Sequence, residues 1–264
     1  MGRGGGVSLE CEVTGAVATI TITNAAKRNA MTPAMWQALP PILDRLSEDA
    51  AVRVVVLTGA GDTFCAGADI GSLREMRGDS RDLASQAEDA LAAFGKPTIA
   101  AIRGDCVGGG VQLAAACDLR VAHTSARFGV TPARLGIVYP AGALARLMRL
   151  IGPAHVKTLL YTARLVDAAT AYRWGLIDAP VRDEDFDQHV SALATTLSTR
   201  SQLTLQSAKD LLDVLTTDGL DAAMTRQRFW RDEANHSGEA AEGIAAFLER
   251  RPPAFGWSAP VARP

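Results

Sequence analysis

Apolar and polar positions alternate through "LECEVTGAVATITIT" (9–23), a stretch rich in β-branched valine, isoleucine and threonine. That period of two predicts a hairpin turning near Gly15. "TPAMWQALPPILDRLSED" (32–49) has helical spacing instead, with Thr32 as cap and Pro33 at the first helical position. Pro40 and Pro41 are expected to bend or interrupt that helix. "VRVVVLTG" (52–59) is a continuous apolar run, the mark of a strand buried on both faces.

The same pattern then recurs. A glycine-rich loop (59–71) leads to a polar helix and a strand at "KPTIAAIRG" (96–104). A second glycine-rich loop leads to a helix at about 109–116 and a strand at "LRVAH" (119–123). Strands alternating with helices predict an α/β core. From about 140 the chain reads as helical, with "APVRD" (179–183) as a last short strand, and three amphipathic segments follow 195. The expected division is a core over 1–195 and a helical region over 196–264.

Composition narrows the partners. A net charge of −2 gives no basic surface for nucleic acid or an anionic membrane. No apolar run reaches the ~18–20 residues of a membrane helix. The start, "MGRGGGVS", is polar and unlike a signal peptide. Cys11, Cys65, Cys106 and Cys117 show no CxxC or metal-ligand spacing and read as reduced thiols, which places the chain in the cytoplasm.

Two loops could carry chemistry. "LTGAGDTFCAGADI" (57–70) follows a strand, but Phe64 stands where a dinucleotide fingerprint needs its third glycine. "RGDCVGGGVQL" (103–113) places Gly108, Gly109 and Gly110 at the start of a helix. There unpaired N–H groups and the helix dipole favour an anion; the same glycines would also suit tight helix–strand packing. No GxSxG elbow occurs, and His123, His155, His189 and His236 are scattered.

Several stretches together resemble the enoyl-CoA hydratase/isomerase family, the crotonases. They are "NAAKRNAMT" (24–32), "FCAGADI" (64–70), "GGGVQLAAACDLRVA" (108–122), "ARFGVTPARLGI" (126–137), "ARLVDAATAYRWGLID" (163–178) and "AFLERRPPAF" (246–255). The resemblance implies a crotonase-like spiral of ββα repeats with a helical C-terminal region that supports homotrimers or hexamers. It implies an acyl-CoA thioester as ligand, and no cofactor beyond the CoA of the substrate. Two backbone N–H groups would grip the thioester oxygen, mapped to Ala66 and Gly109. CoA would meet Lys27, Arg28, Ala30, Ala66, Ala68, Asp69 and Ile70, with Arg250 and Arg251 reaching it from a neighbouring subunit. Asp118 is expected to fix a helix-to-strand join.

Family hydratases add two glutamates that handle the protons. By the same resemblance those positions are Gln112 and Pro132, neither of which carries a carboxylate. Proton transfer by a placed group is worth ~10²–10⁴-fold, so ordinary hydration is expected to be absent or feeble. An oxyanion hole without acids suits decarboxylation, in which loss of CO₂ itself generates the enolate. "TPARLGIVY" (131–139) resembles the corresponding run of the family's malonyl-type decarboxylases, which makes Tyr139 a candidate to orient a carboxylate or donate a proton. Packing alone is the other reading of Tyr139. Two rivals remain: a hydratase or isomerase of fatty-acid metabolism using another acid such as Glu75, and a non-catalytic acyl-CoA binder.

Overall fold

The computed structural model describes residues 6–73 and 83–258. Strands β1 (Ser8–Thr14) and β2 (Val17–Thr23) form the hairpin, with Thr14 opposite Val17 and Gly15 at φ +59° in the turn. Helix α1 (Pro33–Glu48) starts at Thr32, whose Oγ1 accepts from the Met35 N–H at 3.3 Å. Pro40 and Pro41 do not interrupt it: the helix continues through both. Its face of Met35, Trp36, Leu39, Leu43 and Leu46 is buried on either side of the pair. That burial outweighs the two ladder bonds that proline nitrogens cannot make.

Strand β3 (Val54–Gly59) pairs parallel to β2. Short helices α2 (Ile70–Leu73) and α3 (Leu83–Ala92) follow, then β4 (Thr98–Ile102), β5 (Asp105–Val107), α4 (Gly109–Ala116), β6 (Leu119–His123) and β7 (Arg127–Gly129). Next come α5 (Ala141–Thr162), β8 (Leu165–Asp167), α6 (Ala168–Trp174) and β9 (Ala179–Val181). Helices α7 (Asp183–Thr199), α8 (Gln202–Thr217), α9 (Leu220–Ser237) and α10 (Glu239–Glu249) close the described chain.

Six strands form one sheet in the order β1-β2-β3-β4-β6-β9, parallel except at the first hairpin. A second sheet, β5-β7-β8, was not evident in the sequence because each strand is only three residues long. Chain order explains the spiral. β4 of the large sheet, β5 of the small one and α4 form one turn, and β6, β7 and α5 form the next. Cys65, a free thiol, pairs by backbone as an isolated parallel β-bridge with Cys106 of β5 and marks the corresponding point of the preceding turn.

The central strands of the large sheet, β3 and β4, are buried on both faces. In β3, Val55 and Leu57 enter the main core with Trp36, Phe64 and Phe128. Val54 and Val56 enter a second cluster with Phe186 and Ala194 of α7. The continuous apolar run of β3 follows from this. Asp118 joins α4 to β6 as expected: its Oδ2 accepts from the Thr98 N–H (2.8 Å), the Thr98 hydroxyl (2.9 Å) and Lys209 Nζ (2.9 Å). Among the described residues no helix is long and apolar enough to cross a membrane.

Candidate active site

The loop after β3 is stitched down on two sides. Phe64 N–H donates to Arg103 O (2.7 Å) and Cys65 N–H to Asp105 O (3.0 Å). Further on, Met31 N–H donates to Gly67 O (2.8 Å) and Asp69 N–H to Met31 O (2.9 Å). Backbone groups alternate sides in an extended segment. With Gly67 O and Asp69 N turned toward Met31, the Ala68 N–H faces the opposite side.

The N-terminus of α4 lies on that side. A methyl built on Gly109 would be 3.5 Å from Ala68 N, and 3.1 and 3.4 Å from Cζ2 and Cη2 of Trp36. At Gly110 a Cβ would lie 2.3 Å from Cys65 O, so only glycine lets α4 approach the loop this closely. The close-packing and ligand-facing readings of the triplet thus both hold, at adjacent residues. As the first residue of the helix, Gly109 has an N–H with no intrahelical acceptor. Among the described residues no backbone acceptor takes the N–H of Ala68 or Gly109.

This corrects one assignment. The Ala66 N–H donates to Arg28 O at 3.0 Å and is therefore not free for a ligand. The free amide is two residues further on, at Ala68, because Gly67, at φ +105°, breaks the alternation: the Ala66 N–H and the Gly67 carbonyl both turn toward the Arg28–Met31 segment.

Both amides open on a cavity of about 610 Å³. Met31, Pro33 and Trp36 line it, with residues 66–70 of the loop and Gly108, Gly109 and Gln112 at the start of α4. Thr131, Pro132 and residues 135–140 complete the lining with Ser72 and Ala84. Gly109, Gln112, Pro132 and Tyr139 are thus brought to one cavity. Gln112 is 7% exposed, and its amide makes no hydrogen bond to another described side chain or backbone. Pro132 opens a single 3-10 turn, Pro132–Arg134. Asp69 is the one acid among the described lining residues. It is occupied, with Lys27 Nζ at 2.6 Å, the Ser72 hydroxyl at 3.1 Å and the Gly71 N–H at 3.1 Å. The Lys27 hydrogen bond, foremost, holds its carboxyl below the usual carboxylate range. Glu75 lies outside the described residues.

A second cavity of about 310 Å³ adjoins the first, sharing Ala66, Ala68, Asp69 and Ile70. Its lining also holds Lys27, Arg28 and Ala30, three more of the residues assigned to CoA, and Ala26, which was not among them. Lys27 and Arg28 form ion pairs with Asp69 and Asp105, yet both side chains remain more than half exposed. Arg250 and Arg251 line neither cavity. Arg251 is clamped by Glu242 (2.7 and 2.9 Å) and by Glu249 (2.6 Å), which ties the tail to α10.

Thiol chemistry does not fit this site. Burial pushes the Cys65 and Cys117 thiols up to about 12 and Cys106 well above its usual value, so none supplies a thiolate near neutrality. Two residues escaped the sequence reading. Thr131 lines the cavity beside Pro132. Glu88 on α3 is completely buried, one turn beyond the cavity residue Ala84. Its signal was a carboxylate at i+4 from Ala84 in a helix whose neighbouring positions are largely apolar.

The family profile described as enoyl-CoA hydratase/isomerase matches residues 12–258. The chain belongs to this family. A crotonyl-CoA hydratase of Syntrophomonas wolfei is 31% identical over 240 residues, 89% of this chain and 92% of the relative. A 2,3-dehydroadipyl-CoA hydratase of Escherichia coli is 32% identical over 246 residues, 90% and 94% of the two chains. The crystal structure of an enoyl-CoA hydratase from Bacillus anthracis superposes with a TM-score of 0.89 at 30% identity, covering 94% of this chain and 99% of the other. The crotonase fold and an acyl-CoA-processing enzyme of the hydratase/isomerase family follow.

Proposed function

We propose that this family member decarboxylates a malonyl-type acyl-CoA thioester through an enolate rather than hydrating an enoyl-CoA. One observation carries the reading: two free, adjacent amides at Ala68 and Gly109 face a cavity whose described lining holds no free carboxylate. The amides would grip the thioester oxygen, where negative charge develops. A preorganised pair of this kind acts without reorganisation during the reaction. CoA would extend into the second cavity, its phosphates near Lys27 and Arg28.

The C–C bond to the substrate carboxylate breaks, CO₂ departs, and its electron pair passes into the enolate held by the amides. A proton taken up from water then forms the new C–H bond at the α-carbon; the Tyr139 hydroxyl is buried behind the lining and its ring packs against the site. Glutamates at 112 and 132 would repel the substrate carboxylate; Gln112 and Pro132 do not. The buried apolar lining of Met31 and Trp36 disfavours the localised carboxylate more than the dispersed charge that follows. Gln112 and Thr131 supply neutral hydrogen bonds for that carboxylate before it leaves.

The assay is CO₂ release from malonyl-CoA and methylmalonyl-CoA beside hydration of crotonyl-CoA. Release with negligible hydration supports the reading, and brisk hydration with no release refutes it. Tight binding by titration calorimetry with no turnover on either ester class would instead support the acyl-CoA binder. We place the enzyme in the cytoplasm as a homotrimer or hexamer. Leu220, Ile244, Phe247 and Leu248 on α9 and α10 are the exposed apolar residues such a contact would cover. Arg250, exposed at the end of α10, is then the basic residue available to a neighbour's CoA.

A further inference from the structure

Two guanidinium groups share one buried carboxylate beside the second cavity. The side chain of Asp105, on β5, is only 8% exposed. Its Oδ2 accepts from Arg28 Nη1 at 3.1 Å, and its Oδ1 accepts from Arg127 Nε at 2.9 Å, with Arg127 Nη2 at 2.7 Å. Register sets the second contact, since Arg127 of β7 stands opposite Asp105. Asp167 of β8 flanks Arg127 on the other side, but its Oδ1 caps α6 through the Thr170 N–H. The loop sets the first contact. Arg28 and Asn29 have φ of +50° and +57°, a conformation that costs energy in residues with a Cβ. The Asn29 amide donates to Ala60 O and Thr63 O, and the Arg28 carbonyl takes the Ala66 N–H, which holds the pair in place.

The charges do not cancel. One carboxylate balances one guanidinium, so the group Arg28–Asp105–Arg127 keeps a positive charge, while Lys27 is balanced by Asp69. The two arginine side chains are 70% and 56% exposed. Among the described residues neither guanidinium has a hydrogen-bond partner other than Asp105. Arg28 lines the second cavity, and Asp105 holds Arg127 next to it. Guanidinium forks fixed in this way are preorganised for the oxygens of a phosphate.

We propose that Arg28 and Arg127 form a clamp for a phosphate monoester, the one on the ribose of CoA, with Asp105 as the positioning residue that aims both. The inference rests on the placement of CoA in the second cavity and is independent of what happens to the acyl group. With the thioester oxygen on the Ala68 and Gly109 amides, the shared residues 66–70 lead the thiol arm from the first cavity to the second, and the nucleotide end meets Arg28 there. The clamp makes the site selective for a complete CoA over a carrier that lacks this phosphate.

The test titrates acetyl-CoA and acetyl-dephospho-CoA into wild type, Arg127→Ala, Arg127→Lys and Asp105→Asn. The two esters differ only in that phosphate, and neither carries a carboxylate to lose. Wild type should bind acetyl-CoA about tenfold more tightly, the size expected of charged hydrogen bonds at a half-exposed site. Arg127→Ala and Asp105→Asn should lower that ratio to about twofold, with acetyl-dephospho-CoA bound as in wild type. Arg127→Lys should fall between, because it keeps the charge and loses the fork. General damage to the fold weakens both esters alike and leaves the ratio unchanged, so the ratio reads the clamp itself. A ratio near one in wild type, or an undiminished ratio in Arg127→Ala or Asp105→Asn, overturns the proposal. So does inorganic phosphate that competes equally with both esters. Failure to bind either ester overturns the CoA placement with it, whereas the decarboxylase reading stands or falls separately on CO₂ release.

Discussion

Replacing Gly109 by alanine tests the paired amides directly. The added methyl meets Trp36 at 3.1 and 3.4 Å and stands 3.5 Å from Ala68 N. Trp36 is 2% exposed and fixed by the core, so a shift of a few tenths of an ångström falls partly on the N-terminus of α4. Overpacking of this kind costs about 1–3 kcal/mol of stability. The methyl also fills part of the space that an oxygen needs to reach both amides. Losing one such donor typically removes about 2.7–4 kcal/mol of transition-state stabilisation, or ~10²–10³-fold in kcat. The assay is kcat for CO₂ release from the best malonyl-type ester, with thermal melting as control and calorimetric titration of a non-reacting acyl-CoA for binding. A folded Gly109→Ala enzyme that keeps kcat within about threefold of wild type would refute the amide assignment.

The double change Gln112→Glu with Pro132→Glu should gain measurable crotonyl-CoA hydration. A folded variant that binds CoA esters and gains none refutes the positional mapping. Lys27→Ala and Arg28→Ala should each weaken CoA-ester binding more at low salt than at high salt, since exposed charge pairs are screened; calorimetry at two ionic strengths decides this. Glu88→Gln should also change how stability depends on pH. The native state keeps the Glu88 proton up to about 8, against the ordinary 4.5. Wild type therefore has this contribution in full below about 4.5 and loses at most about 5 kcal/mol of it, relative to the glutamine variant, as pH rises to about 8. Denaturant melts at pH 4.5 and 8.5 measure the gap. Glu242 behaves oppositely, because the Arg251 hydrogen bonds hold its carboxyl down to about 2. Tail anchoring is complete above the ordinary 4.5 and fades as pH falls through about 2, read as faster proteolysis beyond residue 250.

The large-sheet strands and most helices were legible because each spans enough residues to show a period. The β1–β2 hairpin, β3, α4 and β6 follow their patterns closely. The strands β5, β7 and β8 did not show, since three residues carry no period and their pairing joins different turns of the spiral. The proline pair in α1 misled in the other direction, because local propensity cannot register a face buried by α3 and the core. At the site, glycines 108–110, Gln112 and Pro132 could be read from motif spacing. Ala68 could not be told from Ala66, since the choice depends on which amide Arg28 O consumes.

By itself, then, the sequence determined the α/β alternation, the family, the helix-headed glycine site and the presence of Gln112 and Pro132 among its cavity residues. These are properties of residue type and spacing along one chain. Tertiary structure decided which amides stay free, which acid is occupied and which is hidden. Asp69 is neutralised by Lys27, forty-two residues away, while Glu88 is buried against Arg146, fifty-eight residues away. Desolvation and pairing depend on what the folded chain brings within a few ångströms, and no local pattern of side chains encodes that distance.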